Sequence, residues 1–226
     1  MTNITITNED CMCLLRRTES ESVDLVLTDP PYGIEFRATR GSKVATAKGI
    51  LNDHKDNIGF LESVAVELYR VLKPNSHLYW FTRWDKVEEQ LPMLRRCGFR
   101  PKNAMIWIKG GHGMSDTLGA YAPEYEVVLF CHKGRRLLNE VDGRKRHTDV
   151  LRFSKIAPGS LVHSHQKPTA LLEFLIQKSS NAGDLVLDPF LGSGSTALAA
   201  RNTGRSFVGC ELSEEIFQIA QQQLAA

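Results

Sequence analysis

No apolar run in this 226-residue sequence approaches the roughly 20 residues needed to cross a bilayer. Its opening residues, MTNITITNEDCMC, lack a basic stretch followed by an apolar one, so no signal peptide is expected. Cysteine is scarce: Cys11, Cys13, Cys97, Cys131 and Cys210 form an odd set without a CxxC pair. That pattern argues against a disulfide framework and for reduced, mostly buried thiols in a cytoplasmic protein. His112, His132, His147, His163 and His165 complete no zinc-ligand spacing, and no metal is expected. The formal net charge is only +2, too small for bulk charge to announce a nucleic acid. Internal repeats and low-complexity tracts are absent as well.

What is present is a rhythm. Val23–Thr28 reads as a buried strand, and Ile58–Lys73 as a helix stopping before Pro74. Strands are expected at Ser76–Thr82, Asn103–Lys109, Glu126–His132, Asp184–Leu187 and Ser206–Cys210. Helices are expected at Asp85–Cys97, Thr169–Ser179, Thr196–Arg201 and Ser213–Leu224. Alternation of this kind implies an α/β fold with a mostly parallel sheet and helices on both faces. Trp80, Trp84 and Trp107 are expected to pack against it. Two polar segments, Phe36–Asn57 and Lys133–Lys155, interrupt the rhythm and do not read as core.

DLVLDPFLGSGST, from Asp184 to Thr196, ends a strand in an acid and opens a helix through two glycines. Ligands of open α/β sheets sit at such carboxyl ends. A phosphate-binding loop would carry lysine after its last glycine, where Ser195 stands; a dinucleotide loop would carry a third glycine, where Ala197 stands. Asp188 would repel a pyrophosphate but tolerates a cationic amino group. The helix start offers N–H groups, with the Ser195 and Thr196 hydroxyls, to a carboxylate. One strand later Glu211 stands where an acid commonly accepts ribose hydroxyls. An amino acid joined to a ribose describes S-adenosylmethionine.

TDPPY, from Thr28 to Tyr32, resembles the catalytic motif of the DNA amino-methyltransferases, and DPFLGSGST resembles their cofactor loop. The catalytic motif comes first, as in the β class, a circular permutation of the Rossmann-like methyltransferase fold. HQKPTALLEFLI (His165–Ile176), NEDC (Asn8–Cys11) and RVLKPNSHLYWF (Arg70–Phe81) are similar to further segments of that class. The chain departs from it at HSHQKP, where Ser164 and His165 replace a common Pro-Thr. The resemblance implies one methyltransferase domain over residues 1–226 that takes S-adenosylmethionine and double-stranded DNA, with a homodimer as one assembly. It assigns catalysis to Asp29, Pro30, Pro31 and Tyr32. It assigns the cofactor to Asp10, Cys11, Asp29, Lys167, Asp188, Pro189, Phe190, Gly192, Ser193, Gly194, Ser195, Thr196 and Glu211.

An exocyclic amine is a poor nucleophile, because its lone pair is delocalised into the ring. Hydrogen bonds from its two N–H groups to the Asp29 carboxylate and the Pro30 carbonyl would favour a more tetrahedral nitrogen. Tyr32 would stack on the flipped base, a contact worth roughly 1–3 kcal/mol. The Asp of DPPY favours adenine N6; cytosine N4 is the alternative, and a non-catalytic nucleic-acid-binding module is a third reading. The two interrupting segments are expected to be DNA-contacting insertions, through Arg37, Arg40 and Lys43 in 36–57 and through Arg135, Arg136, Arg144 and Arg146 in 133–155.

Overall fold

The computed structural model describes residues 2–32, 57–111, 118–156 and 166–225. Their strands form one eight-stranded sheet. In chain order these are β1 (Ile4–Asn8), β2 (Val23–Thr28), β3 (Leu72–Thr82), β4 (Arg100–Ile108), β5 (Tyr125–Lys133), β6 (Val150–Arg152), β7 (Leu185–Asp188) and β8 (Ser206–Glu211). Their spatial order is β1-β8-β7-β2-β3-β5-β4-β6. Every pairing is parallel except those of β5, which runs against β3 and β4. The expected α/β, mostly parallel architecture is present.

Helices cover both faces, which is why the inner strands are apolar on both sides. On one face lie α1 (Cys11–Arg17), α2 (Ile58–Val71) and α3 (Val87–Arg96). On the other lie α4 (Thr169–Ser179), α5 (Ser195–Asn202) and α6 (Glu214–Ala225). In α2, Leu61, Val64, Ala65, Leu68 and Val71 recur at helical spacing and are all buried. Alternate residues of β2 serve the two cores: Val26 packs with α1 and α2, Leu25 and Leu27 with α4.

Several boundaries differ from the sequence reading. The helix expected to reach Lys73 ends at Val71, and Pro74 lies near the start of β3. The pairing with β2 shifts register there, and Asn75 has φ +59°, so the proline falls where a ladder donor is not required. The helix expected from Asp85 begins with a 3-10 turn at Trp84–Lys86, and α3 starts at Val87. Trp80 and Trp107 are buried as expected, but Trp84 on that turn is 68% exposed. Lys133–Lys155 is not wholly outside the core either. Lys133 ends β5 and is buried, and β6 adds an edge strand whose Leu151 enters the α4-side core. The sequence reading did not assign β1, α1 or β6.

Candidate active site

Because β1, β8, β7, β2 and β3 are parallel, their carboxyl ends project from one edge of the sheet. The reversed strand β5 brings its first residues, Tyr125 and Glu126, to the same edge. Asp188, Glu211, Asp10, Asp29 and Glu126 therefore converge although they are scattered along the chain.

Asp188 ends β7 and is buried. Its carboxylate accepts hydrogen bonds from Thr28 Oγ1 and Thr196 Oγ1, both at 2.8 Å, and from the Phe190 amide at 3.1 Å. Burial pushes its pKa up to about 6, against the pull of those donors. Thr28 thus ties the end of β2 to the end of β7. Beyond Asp188, Pro189 accepts from Cys210 Sγ, and Phe190 packs edge-on against Phe60 at 6.3 Å. Gly192 (φ +54°) and Gly194 (φ +90°) turn the chain into α5 through conformations that favour glycine. A Cβ on Gly194 would stand 3.2 Å from that of Ala220, so the turn is also closely packed.

Among the described residues no side chain caps α5, which leaves its first N–H groups to a ligand. The neighbouring Ser195 Oγ is buried and has no hydrogen-bond partner among the described residues. Ser193 is buried beside it. Glu211 accepts the Gly192 amide at 3.0 Å and the Ser213 amide at 2.9 Å, and burial raises its pKa. Asp10 caps α1 by accepting the Met12 amide at 2.8 Å, next to the buried Cys11. The backbone brings Asp10 close to Glu211, since the Glu9 amide donates to the Glu211 carbonyl.

On the other side of Thr28 stands Asp29. One carboxylate oxygen accepts the Tyr32 hydroxyl at 2.5 Å, and the other accepts the Lys167 ammonium. Burial, then the charge of Asp29, raises the Tyr32 pKa well above its ordinary value, so the hydroxyl stays protonated and donates. Asn57 Nδ2 donates to the Pro31 carbonyl at 2.8 Å and fixes the bend from α2. Lys167 also pairs with Glu126 at 3.3 Å, and Glu126 with Lys109 at 2.8 Å. Burial lowers the pKa of a lysine, but Asp29 and Glu126 outweigh it and hold Lys167 above the ordinary range.

The family model for DNA methylase, of the N6/N4 type, matches residues 23–222. The chain belongs to this DNA methylase family. YubD of Escherichia coli (strain K12) is 32% identical over 217 residues, covering 96% of this chain and 88% of its own. The type II methyltransferase M.HpaI of Haemophilus parainfluenzae is 30% identical over 230 residues, covering 93% and 70%. The structure of M1.HpyAVI in complex with S-adenosylmethionine matches with a TM-score of 0.77 at 25% identity, over 99% of this chain and 100% of that one. The cytosine-N4-specific PvuII methyltransferase has the same fold, with a TM-score of 0.78 at 19% identity over 98% and 86% of the two chains.

The methylase therefore uses S-adenosylmethionine, and its own residues fit that molecule. An uncapped helix start and the orphaned Ser195 hydroxyl suit a carboxylate; the acids Asp188, Glu211 and Asp10 suit an amino group, a ribose and an adenine. Asp188 is more constrained than expected from sequence, since both its oxygens already accept internal hydrogen bonds. Lys167, which the resemblance gave to the cofactor, has its ammonium on Asp29 and Glu126. The sequence reading missed Glu126, Lys109 and Asn57. None belongs to a motif, and each reaches the site through tertiary contacts that no local pattern encodes.

The DNA-contact residues divide. Arg37, Arg40 and Lys43 lie outside the described residues. Arg135 and Arg136 sit at the amino end of the sheet, opposite Asp29: Asn75 accepts the Arg135 amide, and the Arg136 carbonyl meets His77. The carbonyls of Arg144 and Lys145 lie near Lys178, at the end of α4 away from the active site. Arg146 lines a groove of about 630 Å³ between α4 and the sheet, with Tyr79, Phe130 and Phe174. This placement divides the expected DNA-contacting segment 133–155 between the two edges of the sheet. The segment starts at the far edge because β5 is antiparallel, and it regains the active edge only after β6.

Proposed function

We propose that this DNA methylase methylates the exocyclic N6 of an adenine flipped out of double-stranded DNA. The observation that carries this reading is the Asp29 carboxylate, held between Tyr32 and Lys167 at the strand end beside the cofactor loop. The pair of donors fixes its orientation, while its partial exposure leaves it open to the mouth of the site. An amine N–H donates to Asp29 and a second donates to the Pro30 carbonyl, which the rigid Pro30–Pro31 bend presents. The nitrogen is thereby held with its lone pair free to take the methyl. S-adenosylmethionine, held by the α5 start, Asp188 and Glu211, supplies an activated sulfonium methyl group. The methylated nitrogen gives up one proton along its hydrogen bond to Asp29, and from there to solvent. Orientation of this kind is worth about 7–11 kcal/mol in favourable cases. The face of the Tyr32 ring offers a stacking surface for the base.

Adenine is preferred on the acid that opens DPPY, since cytosine-N4 relatives more often begin with Ser. Cytosine N4 is the second reading, supported by the shared fold of the PvuII enzyme. Mass spectrometry of digested DNA after incubation with the protein and cofactor decides between them. N6-methyladenine is expected; N4-methylcytosine alone would overturn the choice of base and leave the chemistry.

A further inference from the structure

We propose that Glu126 is a positioning residue for methyl transfer: with Lys109 it balances the Lys167 ammonium, so that Asp29 stays oriented toward the target amine. The inference rests on the reading that Asp29 accepts that amine. It starts from a row of four charges of alternating sign. Lys109 Nζ lies 2.8 Å from Glu126 Oε1, Lys167 Nζ lies 3.3 Å from Glu126 Oε2, and Lys167 closes on Asp29 Oδ2. The row joins the end of β4, the start of β5, the turn before α4 and the end of β2. It carries no net charge.

Lys167 is almost enclosed, with 11% of its side chain exposed, and its ammonium lies 5.2 Å from the centre of the Phe81 ring. Asp29, Glu126 and the ring thus surround the amine. Glu126 Oε2 makes no hydrogen bond among the described residues, so its hold on the ammonium is the charge attraction across 3.3 Å, which draws Lys167 back from Asp29 in a fixed direction. Without Glu126 the lysine would turn wholly to Asp29 and compete with the substrate N–H groups. The charge of Lys109 would also be left unbalanced beside a site that takes a sulfonium cation. Among the described residues, the other groups facing this row are Tyr32, which donates to Asp29, and Arg83, whose charge reaches Tyr32. A simple brace between β4 and β5 would need the Lys109 pair alone; the second pair, into the catalytic carboxylate, is what a brace does not require.

The test compares wild type, E126Q, E126D and the double variant E126Q/K109M, each checked for folding by thermal unfolding. E126Q keeps the side-chain shape and removes the charge. Its kcat is expected to fall about 100-fold, the scale of a small misplacement of reacting groups, with a smaller change in cofactor affinity. Removing Lys109 as well restores neutrality and is expected to recover about tenfold, whereas a brace would lose further activity. E126D keeps the charge and is expected to fall between wild type and E126Q. At neutral pH the ¹³Cε resonance of Lys167 should shift between wild type and E126Q, as the ammonium changes its partners. Wild-type kcat in E126Q, or an additive loss in the double variant, overturns the proposal. An unchanged Lys167 resonance overturns it too, without reference to activity. Absence of methyl transfer by the wild-type protein to any DNA would instead sink the functional reading, and the resonance would still decide what Glu126 does.

Discussion

At the amino end of the sheet, many buried polar groups have partners within the chain, with His132 Nδ1 and Arg136 Nε as exceptions among the described residues. Tyr79 donates to Ser179 Oγ at 2.7 Å, Ser179 donates to His77 Nδ1 at 2.8 Å, and His77 Nε2 donates to the Arg136 carbonyl at 3.2 Å. Lys133 donates to the Tyr69 and Leu72 carbonyls, and Arg205 to Ser180. At the carboxyl end the groups are more acidic and less complete. Among the described residues the Ser195 hydroxyl has no partner and α5 has no side-chain cap, and burial raises the pKa of both Asp188 and Glu211. Leaving a buried polar group unsatisfied costs roughly 1–3 kcal/mol. The amino end removes much of that cost with internal bonds. The other retains it until a ligand supplies the bonds, so the two ends should respond differently to substitution and to pH.

The largest effect belongs to the carboxyl end. Asp29→Ala removes the acceptor for the target amine while leaving the cofactor loop in place. Methyl transfer is expected to fall by about 100- to 1,000-fold, the range for deleting one preorganised polar group. Calorimetry with S-adenosylmethionine should show binding retained. Normal turnover would remove Asp29 from the mechanism and dissolve the contrast between the two ends.

A step down in size is Gly194→Ala. The residue has φ +90°, and its new Cβ would stand 3.2 Å from that of Ala220. Either α6 or the loop must shift, and cofactor affinity is expected to weaken by about tenfold, or 1.4 kcal/mol. Gly183 serves as the control at the amino end. It also has positive φ, but nothing lies within 4 Å of its Cβ, so alanine there should cost stability and not cofactor affinity. Equal losses of cofactor affinity at both glycines would show that the effect is one of backbone strain and not of the site.

The two ends should also pull stability in opposite directions with pH. Asp188 has a folded pKa of about 6, above the ordinary 3.8, so folding favours its protonated form. Its contribution is complete below pH 3.8 and is lost as pH rises through about 6. His77 is pushed down to about 3 by burial and then by His132, against an ordinary 6.5. Its contribution is complete above pH 6.5 and is lost as pH falls toward 3. Between pH 4 and 6 the two oppose each other. Denaturant unfolding of the cofactor-free protein across this window should show stability climbing more steeply with pH in Asp188→Asn than in wild type. His77→Gln should show it climbing less steeply, or falling. Parallel curves for all three proteins would refute the assignment.

The sequence was most informative at the carboxyl end, because covalent neighbours create the signal there. Asp188 through Thr196 is a strand end, a turn and a helix start in one stretch, and Asp29 through Tyr32 is a rigid bend after an apolar run. Long elements with one clear period, such as α2 and α4, were legible for the same reason. β1, α1 and β6 were not, since each is short and takes much of its order from neighbours far away in sequence; β6 has three residues. Glu126 and Lys109 were invisible because their importance depends on β5 being antiparallel, which apolar runs do not reveal. The same reversal splits Lys133–Lys155 between the two edges of the sheet. Its charges were legible, but the edge on which they emerge was not.

That split leads to the smallest expected effect. Ser76, which pairs with Lys133, and Thr82, at the active edge, are separated along β3 by roughly 20 Å at about 3.3 Å per residue. A duplex presenting a base to Asp29 has its phosphates near the active edge, and Arg135 and Arg136 are about a sheet's height away. Arg152 is different: it ends β6, pairs with Ile108 at the same end as Lys109, and is exposed. Arg152→Ala is expected to weaken DNA binding at all sequences and to lower the salt slope by about one ion, as for a single phosphate contact. Arg135→Ala should change neither. Affinity measured across a range of salt concentrations, with the two variants side by side, tests the difference within one segment. If Arg135→Ala lowers the slope and Arg152→Ala does not, the DNA reaches the amino end of the sheet, and the division between a structural end and a ligand-binding end fails.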